Sequence, residues 1–152
     1  MRNVGILLVE DNEADVVLVR EALKDANVDN ALHVAGDGQQ AIDFLNHEPR
    51  INPSGVTPGL VLLDLHLPNL DGMEVLKHVK SDRRHRLIPV IMMSSSQEES
   101  DVIMAYKLQA NCYIVKPVDF EQLINVIKTI ENFWLSVVAL PKPSLGFGQE
   151  AS

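Results

Sequence analysis

Four aliphatic residues, Leu60-Val61-Leu62-Leu63, run straight into the carboxylate of Asp64, and Pro68 closes the segment. A short unbroken apolar run bounded by turn residues reads as a strand buried on both faces, as in a parallel sheet. Asp64 then stands where that strand leaves the carboxyl edge of the sheet, the place open α/β folds reserve for chemistry. A carboxylate next to aliphatic neighbours is costly unless a cation or hydrogen bonds compensate it. Pro68 and the turn-like Asn69-Leu70-Asp71-Gly72 argue against a residue that merely caps an immediate helix.

Other apolar runs end in the same way. Val4 to Val9 meets Glu10-Asp11, Pro89 to Met93 meets Ser94, and Cys112 to Val115 meets Lys116. Neighbouring strands lie about 5 Å apart, so these side chains converge on one pocket if their strands adjoin. Three carboxylates at such range repel one another, and a hard divalent cation with oxygen ligands is the ordinary remedy. Mg²⁺ keeps several waters and takes few protein carboxylates, which suits an open site that also receives phosphate oxygens. A carboxylate can attack phosphorus to form an aspartyl-phosphate, with Lys116 and the Ser94 hydroxyl neutralising the phosphoryl oxygens. Each residue has a plainer explanation: Asp11 or Asn12 as a helix cap, Ser94 as a loop polar group, Lys116 as a surface lysine. Their coincidence at four strand ends favours a site.

The elements that must position these groups follow from periodicity. Val16, Val19, Leu23 and Ala26 give a first helix, and Ala31 to Ala35 a short second strand. Asp37 with Gln40 has capping-box spacing for a second helix using Ala41, Phe44 and Leu45. His47 to Pro58 reads as a loop, and a third helix from Gly72 turns Val75, Leu76 and Val79 inward. Ser96 with Glu99 suggests a capping box for a fourth helix, and Asp119 with Gln122 one for the last, with Val118 and Leu123 as a staple. Arg83-Arg84-His85-Arg86 reads as a solvated basic loop. Five strands alternating with five helices, without hairpin signals, make a parallel sheet covered on both faces.

The 152 residues suit one domain with a sizeable core, and the formal net charge of −8 argues against a protein that coats nucleic acid. No stretch approaches a membrane span, and the start runs directly into a strand rather than a signal peptide. The lone Cys112 cannot form an internal disulfide, and the five histidines lack metal-ligand spacing. These features lead to the expectation of a cytoplasmic protein with no membrane or direct nucleic-acid partner.

From Val4 to about Ile130 the sequence resembles the receiver domain of two-component response regulators. The resemblance rests on Leu7-Leu8-Val9-Glu10-Asp11, Leu62-Leu63-Asp64-Leu65-His66-Leu67-Pro68 with Asp71-Gly72, Pro89-Val90-Ile91-Met92-Met93-Ser94 and Tyr113-Ile114-Val115-Lys116-Pro117. It implies a flavodoxin-like, doubly wound sheet of order 2-1-3-4-5. It further implies that Asp64 is the phosphoacceptor, Asp11 a direct Mg²⁺ ligand, Glu10 a ligand through water, and His66 the donor of a backbone carbonyl. Ser94 and Lys116 would contact the phosphoryl group, Tyr113 would be the switch aromatic, and the Lys116–Pro117 bond would be cis. Glu10 and Ser94 stand where aspartate and threonine are commoner in the family, and Gln109 where glycine is usual. His66 and Ser96, each two residues beyond a pocket residue, are expected to tune dephosphorylation.

Residues 1–130 are thus expected to form the receiver domain and 131–152 a helical extension and tail. That closing segment, from Ile130 to Pro141, resembles the tail of stand-alone regulators paired with bacterial phytochromes, as do the long loop before Asp64 and Asn111-Cys112-Tyr113. The expected partner is therefore a sensor histidine kinase, a phytochrome, and the chain is expected to catalyse only its own phosphorylation and dephosphorylation. On the last helix, Leu123, Ile127, Ile130 and Trp134 suit packing on the sheet. A second stripe, Val126, Phe133 and Val137, suits a homodimer. Two rival readings carry weight. A haloacid-dehalogenase-like phosphatase needs a second acid where His66 stands, and a degenerate receiver acting as a binding module would not fill every acidic, hydroxyl and lysine position.

Overall fold

A computed structural model describes residues 5–26, 32–117 and 119–130. Elements alternate along the chain: β1 (Ile6–Val9), α1 (Glu13–Asp25), β2 (Leu32–Ala35), α2 (Gly38–Leu45), β3 (Leu60–Asp64), α3 (Gly72–Ser81), β4 (Val90–Ser94), α4 (Glu99–Lys107), β5 (Cys112–Val115) and α5 (Phe120–Ile130). The strands form one parallel sheet of order β2-β1-β3-β4-β5, as expected. Among the described residues no helix is long and apolar enough to cross a membrane.

The unbroken aliphatic strands are explained by two cores. Leu7, Val9, Val61, Leu63, Val90 and Met92 face α2, α3 and α4 through Phe44, Leu45, Val75, Leu76, Val79 and Ala105. Their alternates Ile6, Leu8, Leu60, Leu62, Ile91 and Met93 face α1 and α5 through Val19, Leu23, Leu123, Ile124 and Ile127. Successive strand side chains point to opposite faces, so only a sheet covered twice buries every residue of such a run. Leu123 and Ile127 pack on the sheet as expected, whereas Trp134 and Val118 lie outside the described residues.

Caps set the helix starts. Asn12, Asp37 and Asp71 each accept a backbone N–H from their own first turn, and Asp119 accepts one from Gln122. Gln40 reaches back past the cap: its side chain accepts the Gly36 N–H at 3.1 Å, one residue before Asp37, so the second half of the expected capping box is not made at Asp37 itself. Two expectations shift. Ser96 does not cap α4: Glu98 holds the N-cap position with no side-chain hydrogen bond, and the Ser96 hydroxyl donates to Asp101 instead. The basic loop is not uniformly solvated, because His85 is buried while Arg84 pairs with Asp82 at 3.0 Å. Gln109 adopts φ 72°, so a side chain occupies a left-handed turn that suits glycine. The Lys116–Pro117 bond is cis.

The loop behind Asp64 is held by a close approach. Gly72 donates its N–H to Leu65 O at 2.7 Å, and a Cβ on Gly72 would stand 2.0 Å from the Asp64 carbonyl oxygen. Gly72→Ala should therefore cost about 3 kcal/mol, near the top of the usual overpacking range, because the obstacle is backbone. A urea denaturation curve should show the loss as a lower midpoint at unchanged slope.

Candidate functional site

Register brings the acids together. Val9 pairs with Leu63 across adjacent strands, so Glu10 leaves β1 level with Asp64 at the end of β3. Both are buried, Glu10 at 4% and Asp64 at 8% exposure, whereas Asp11 is exposed on the open side. Carboxylate oxygens of Glu10, Asp11 and Asp64 lie within 4.8 Å of one another. Glu10 is further fixed by its N–H donating to Ala35 O at 3.0 Å, and its Oε1 accepts the Asn12 N–H at 3.1 Å.

Lys116 supplies the opposite charge from the end of β5. Its Nζ donates to Glu10 Oε2 at 2.6 Å and to Asp15 Oδ2 at 2.8 Å, and stands 3.6 Å from Asp64 Oδ2. Its backbone N–H donates to Ser94 O at 2.7 Å, which ties the ends of β4 and β5 together. Ser94 is fully buried as the last residue of β4, one position later than the strand end read from the sequence, and its Oγ accepts the Ser96 N–H at 3.1 Å. Pro89 carries no N–H and stands just before the strand, where its carbonyl accepts from Val61. Tyr113 is half-buried and donates its hydroxyl to Ser96 O at 3.0 Å. His66 is exposed and Ser96 half-buried.

Protonation follows from this crowding. Burial pushes the Glu10 carboxyl above the usual range, and Asp64 adds to the effect, against the lowering influence of the Lys116 hydrogen bond. Burial also works against the Lys116 charge, but hydrogen bonds to Asp15 and Glu10 outweigh it, so its pKa rises and the ammonium persists. Glu10, Asp11, Asp64, Ser94 and Lys116 thus lie along the same strand ends, whereas Tyr113 is the second residue of β5 and reaches that edge through its hydroxyl bond to Ser96 O. Asp15 was missed by sequence reading. Its signal was an acid in the first turn of a helix that starts directly after Glu10 and Asp11, which is equally the signal of a favourable helix dipole. All-oxygen donors, two of them buried and compensated by one lysine, are the chemistry of a hard divalent cation, and the cluster fits one.

Known proteins are similar to this chain in sequence and fold. The model of the response regulator receiver domain matches residues 6–128. The response regulator Rcp1 of Synechocystis sp. is 43% identical over 136 residues, spanning 90% of this chain and 92% of the relative. The crystal structure of the phosphorylated cyanobacterial phytochrome response regulator RcpA is similar at a TM-score of 0.81 and 42% identity, covering 93% of this chain and 100% of that one. The Mn²⁺-bound form of Rcp1 is similar at a TM-score of 0.79 and 42% identity, over 91% of this chain and 99% of that one.

The lysine geometry has a measurable consequence. An ammonium 2.6 Å from Glu10 and 3.6 Å from Asp64 competes with any cation for the same carboxylates. Lys116→Ala should bind a divalent cation on the order of tenfold more tightly, the scale of one unit charge removed at short range in a partly buried site. Calorimetric titration with MgCl₂ checks it, and weaker binding by the variant would contradict the placement.

Proposed function

Because the chain belongs to the response regulator receiver domain family, we propose that it accepts a phosphoryl group on Asp64 from a sensor histidine kinase, in a Mg²⁺-dependent reaction, and signals by a conformational switch. The observation that carries this reading is the buried Asp64 carboxylate inside a cluster of two further acids and one lysine. The similarity to cyanobacterial phytochrome regulators supports a phytochrome as the kinase and the cytoplasm as the setting.

The step is a displacement at phosphorus. A carboxylate oxygen of Asp64 forms a bond to phosphorus as the bond to the kinase imidazole nitrogen breaks, and the nitrogen keeps the electron pair. Lys116, already 3.6 Å from Asp64, would neutralise a phosphoryl oxygen. The Ser94 hydroxyl accepts from Ser96 and keeps its own proton to donate to another oxygen. Glu10, Asp11, Asp64 and the backbone carbonyl of His66 would hold the cation, with Glu10 acting through water. When bound, Mg²⁺ supplies the positive charge that lets dianionic phosphate approach the carboxylates.

Signalling and decay involve the rim. Tyr113 binds the Ser96 carbonyl, so any shift of the Ser94–Ser96 loop toward a phosphoryl group alters what Tyr113 can bond. His66 and Ser96 flank the mouth through which hydrolytic water arrives, and their side chains tune how long the phosphoryl group survives. The chain would then catalyse its own phosphorylation and dephosphorylation and no other turnover. His66, where a dehalogenase-like phosphatase requires an acid, supports this over that reading.

We also propose a homodimer built by α5 and the segment after it. Val126 on α5 is half-buried, and its expected companions Phe133 and Val137 lie outside the described residues. A patch that meets its own copy closes at two.

Two experiments check these readings. Radiolabelled phosphate that is labile in acid and base should appear on the wild type in the presence of Mg²⁺ and be absent from Asp64→Asn, while unchanged labelling of the variant would refute the assignment. Light scattering at tens of micromolar, a test concentration set by ordinary dimer affinities, should give twice the chain mass for the full chain. Removal of residues 132–152 should leave the mass of one shortened chain.

A further inference from the structure

Lys116 is shared by two carboxylates with different surroundings. Glu10 belongs to the cluster in which its oxygen lies within 4.8 Å of oxygens of Asp11 and Asp64. Asp15 is outside that cluster and sits in the first turn of α1, where its backbone N–H donates to the Asn12 side chain at 3.1 Å. The helix cap therefore fixes where the Asp15 side chain begins, and its Oδ2 meets Lys116 Nζ at 2.8 Å. The Lys116 side chain is only 13% exposed, so its ammonium depends on protein partners rather than on water.

We propose that Asp15 is a positioning residue: it is the seat that receives Lys116 when Glu10 turns to a divalent cation, keeping the lysine in the pocket and off Glu10. The inference rests on the reading of the cluster as a cation site. A divalent cation drawn to Glu10, Asp11 and Asp64 repels the ammonium and claims the charge of Glu10, its partner at 2.6 Å. With Asp15 present, one charge-assisted hydrogen bond survives that exchange and holds Nζ within reach of Asp64. Without it, Lys116 has Glu10 as its single close carboxylate at hydrogen-bond distance and competes with the cation for it. Asp15 thus acts on the metal through the lysine, a role unlike that of an anion which only adds to the local field.

A double-mutant cycle separates the two roles. Mg²⁺ affinity is measured by calorimetry for the wild type, Asp15→Asn, Lys116→Met and the double variant, in 0.5 M KCl (roughly 4 Å of screening length) so that an unscreened field effect is suppressed. Asp15→Asn should weaken binding about tenfold in the wild-type background and less than about threefold beside Lys116→Met. Equal losses in both backgrounds, or no loss in the first, would overturn the proposal. Asp15→Ser provides the same cycle should the asparagine variant fold poorly, which far-ultraviolet circular dichroism reports. Asp11→Asn, which removes one acid of the cluster itself, is the control for the cation site and should weaken binding in both backgrounds. A wild type that binds no Mg²⁺ overturns the cation-site reading and this inference together, whereas normal wild-type binding with a flat cycle overturns this inference alone.

Discussion

Glu10, Asp11 and Asp64 crowd three carboxylates onto one edge of the sheet, and two of them are buried. Such a group is unstable alone, because burial penalises each charge and the neighbours repel. Lys116 is what makes it tolerable: one ammonium reaches Glu10, Asp15 and Asp64 at 2.6, 2.8 and 3.6 Å. The acids come from β1 and β3, and the lysine from β5, so the compensation spans four strands of the sheet. A charge balance assembled from separate elements exists only while the sheet keeps its register.

The rest of the fold secures that register. Each strand inside the sheet is packed on both faces, and the two cores meet along its whole depth. A slip by one residue would exchange every side chain between cores of different shape. Behind Asp64 the backbone is backed by Gly72, and the start of α2 abuts the next loop, where a Cβ on Gly38 would lie 1.9 Å from Leu70 O. The polar edge thus rests on dense apolar packing that leaves its carboxylates little room to spread apart.

One side of the pocket is built differently. A hydrogen-bonded path runs from the Ser94 hydroxyl through the Ser96 backbone to Tyr113, whose own N–H meets the Tyr106 hydroxyl on α4. The Ser96 hydroxyl holds Asp101 in the first turn of the same helix. With no side-chain cap of its own, α4 takes its anchorage from the loop that follows Ser94. The Ser94 end of β4 and α4 are therefore joined through one set of hydrogen bonds, the coupling that the proposed switch requires.

The sequence by itself determined the element order, the two-sided burial of the strands, and the presence of a polar residue at the carboxyl end of four of the five strands. Continuous aliphatic runs such as Leu60-Val61-Leu62-Leu63 and cap residues such as Asn12 and Asp37 are local signals, readable without knowing the neighbours. Motif resemblance added the strand order and the family. Tertiary structure alone decided the lysine's partners. Asp15 and Lys116 are 101 positions apart, and nothing local in either marks the pair. The same holds for Ser96, whose spacing to Glu99 suits a cap, but whose hydroxyl meets Asp101 instead. It also holds for His85, which lies in a run of arginines yet is buried. Local propensity records which backbone conformation a residue favours, but the partner of a charge or hydroxyl depends on which distant group the packed sheet brings within about 3 Å.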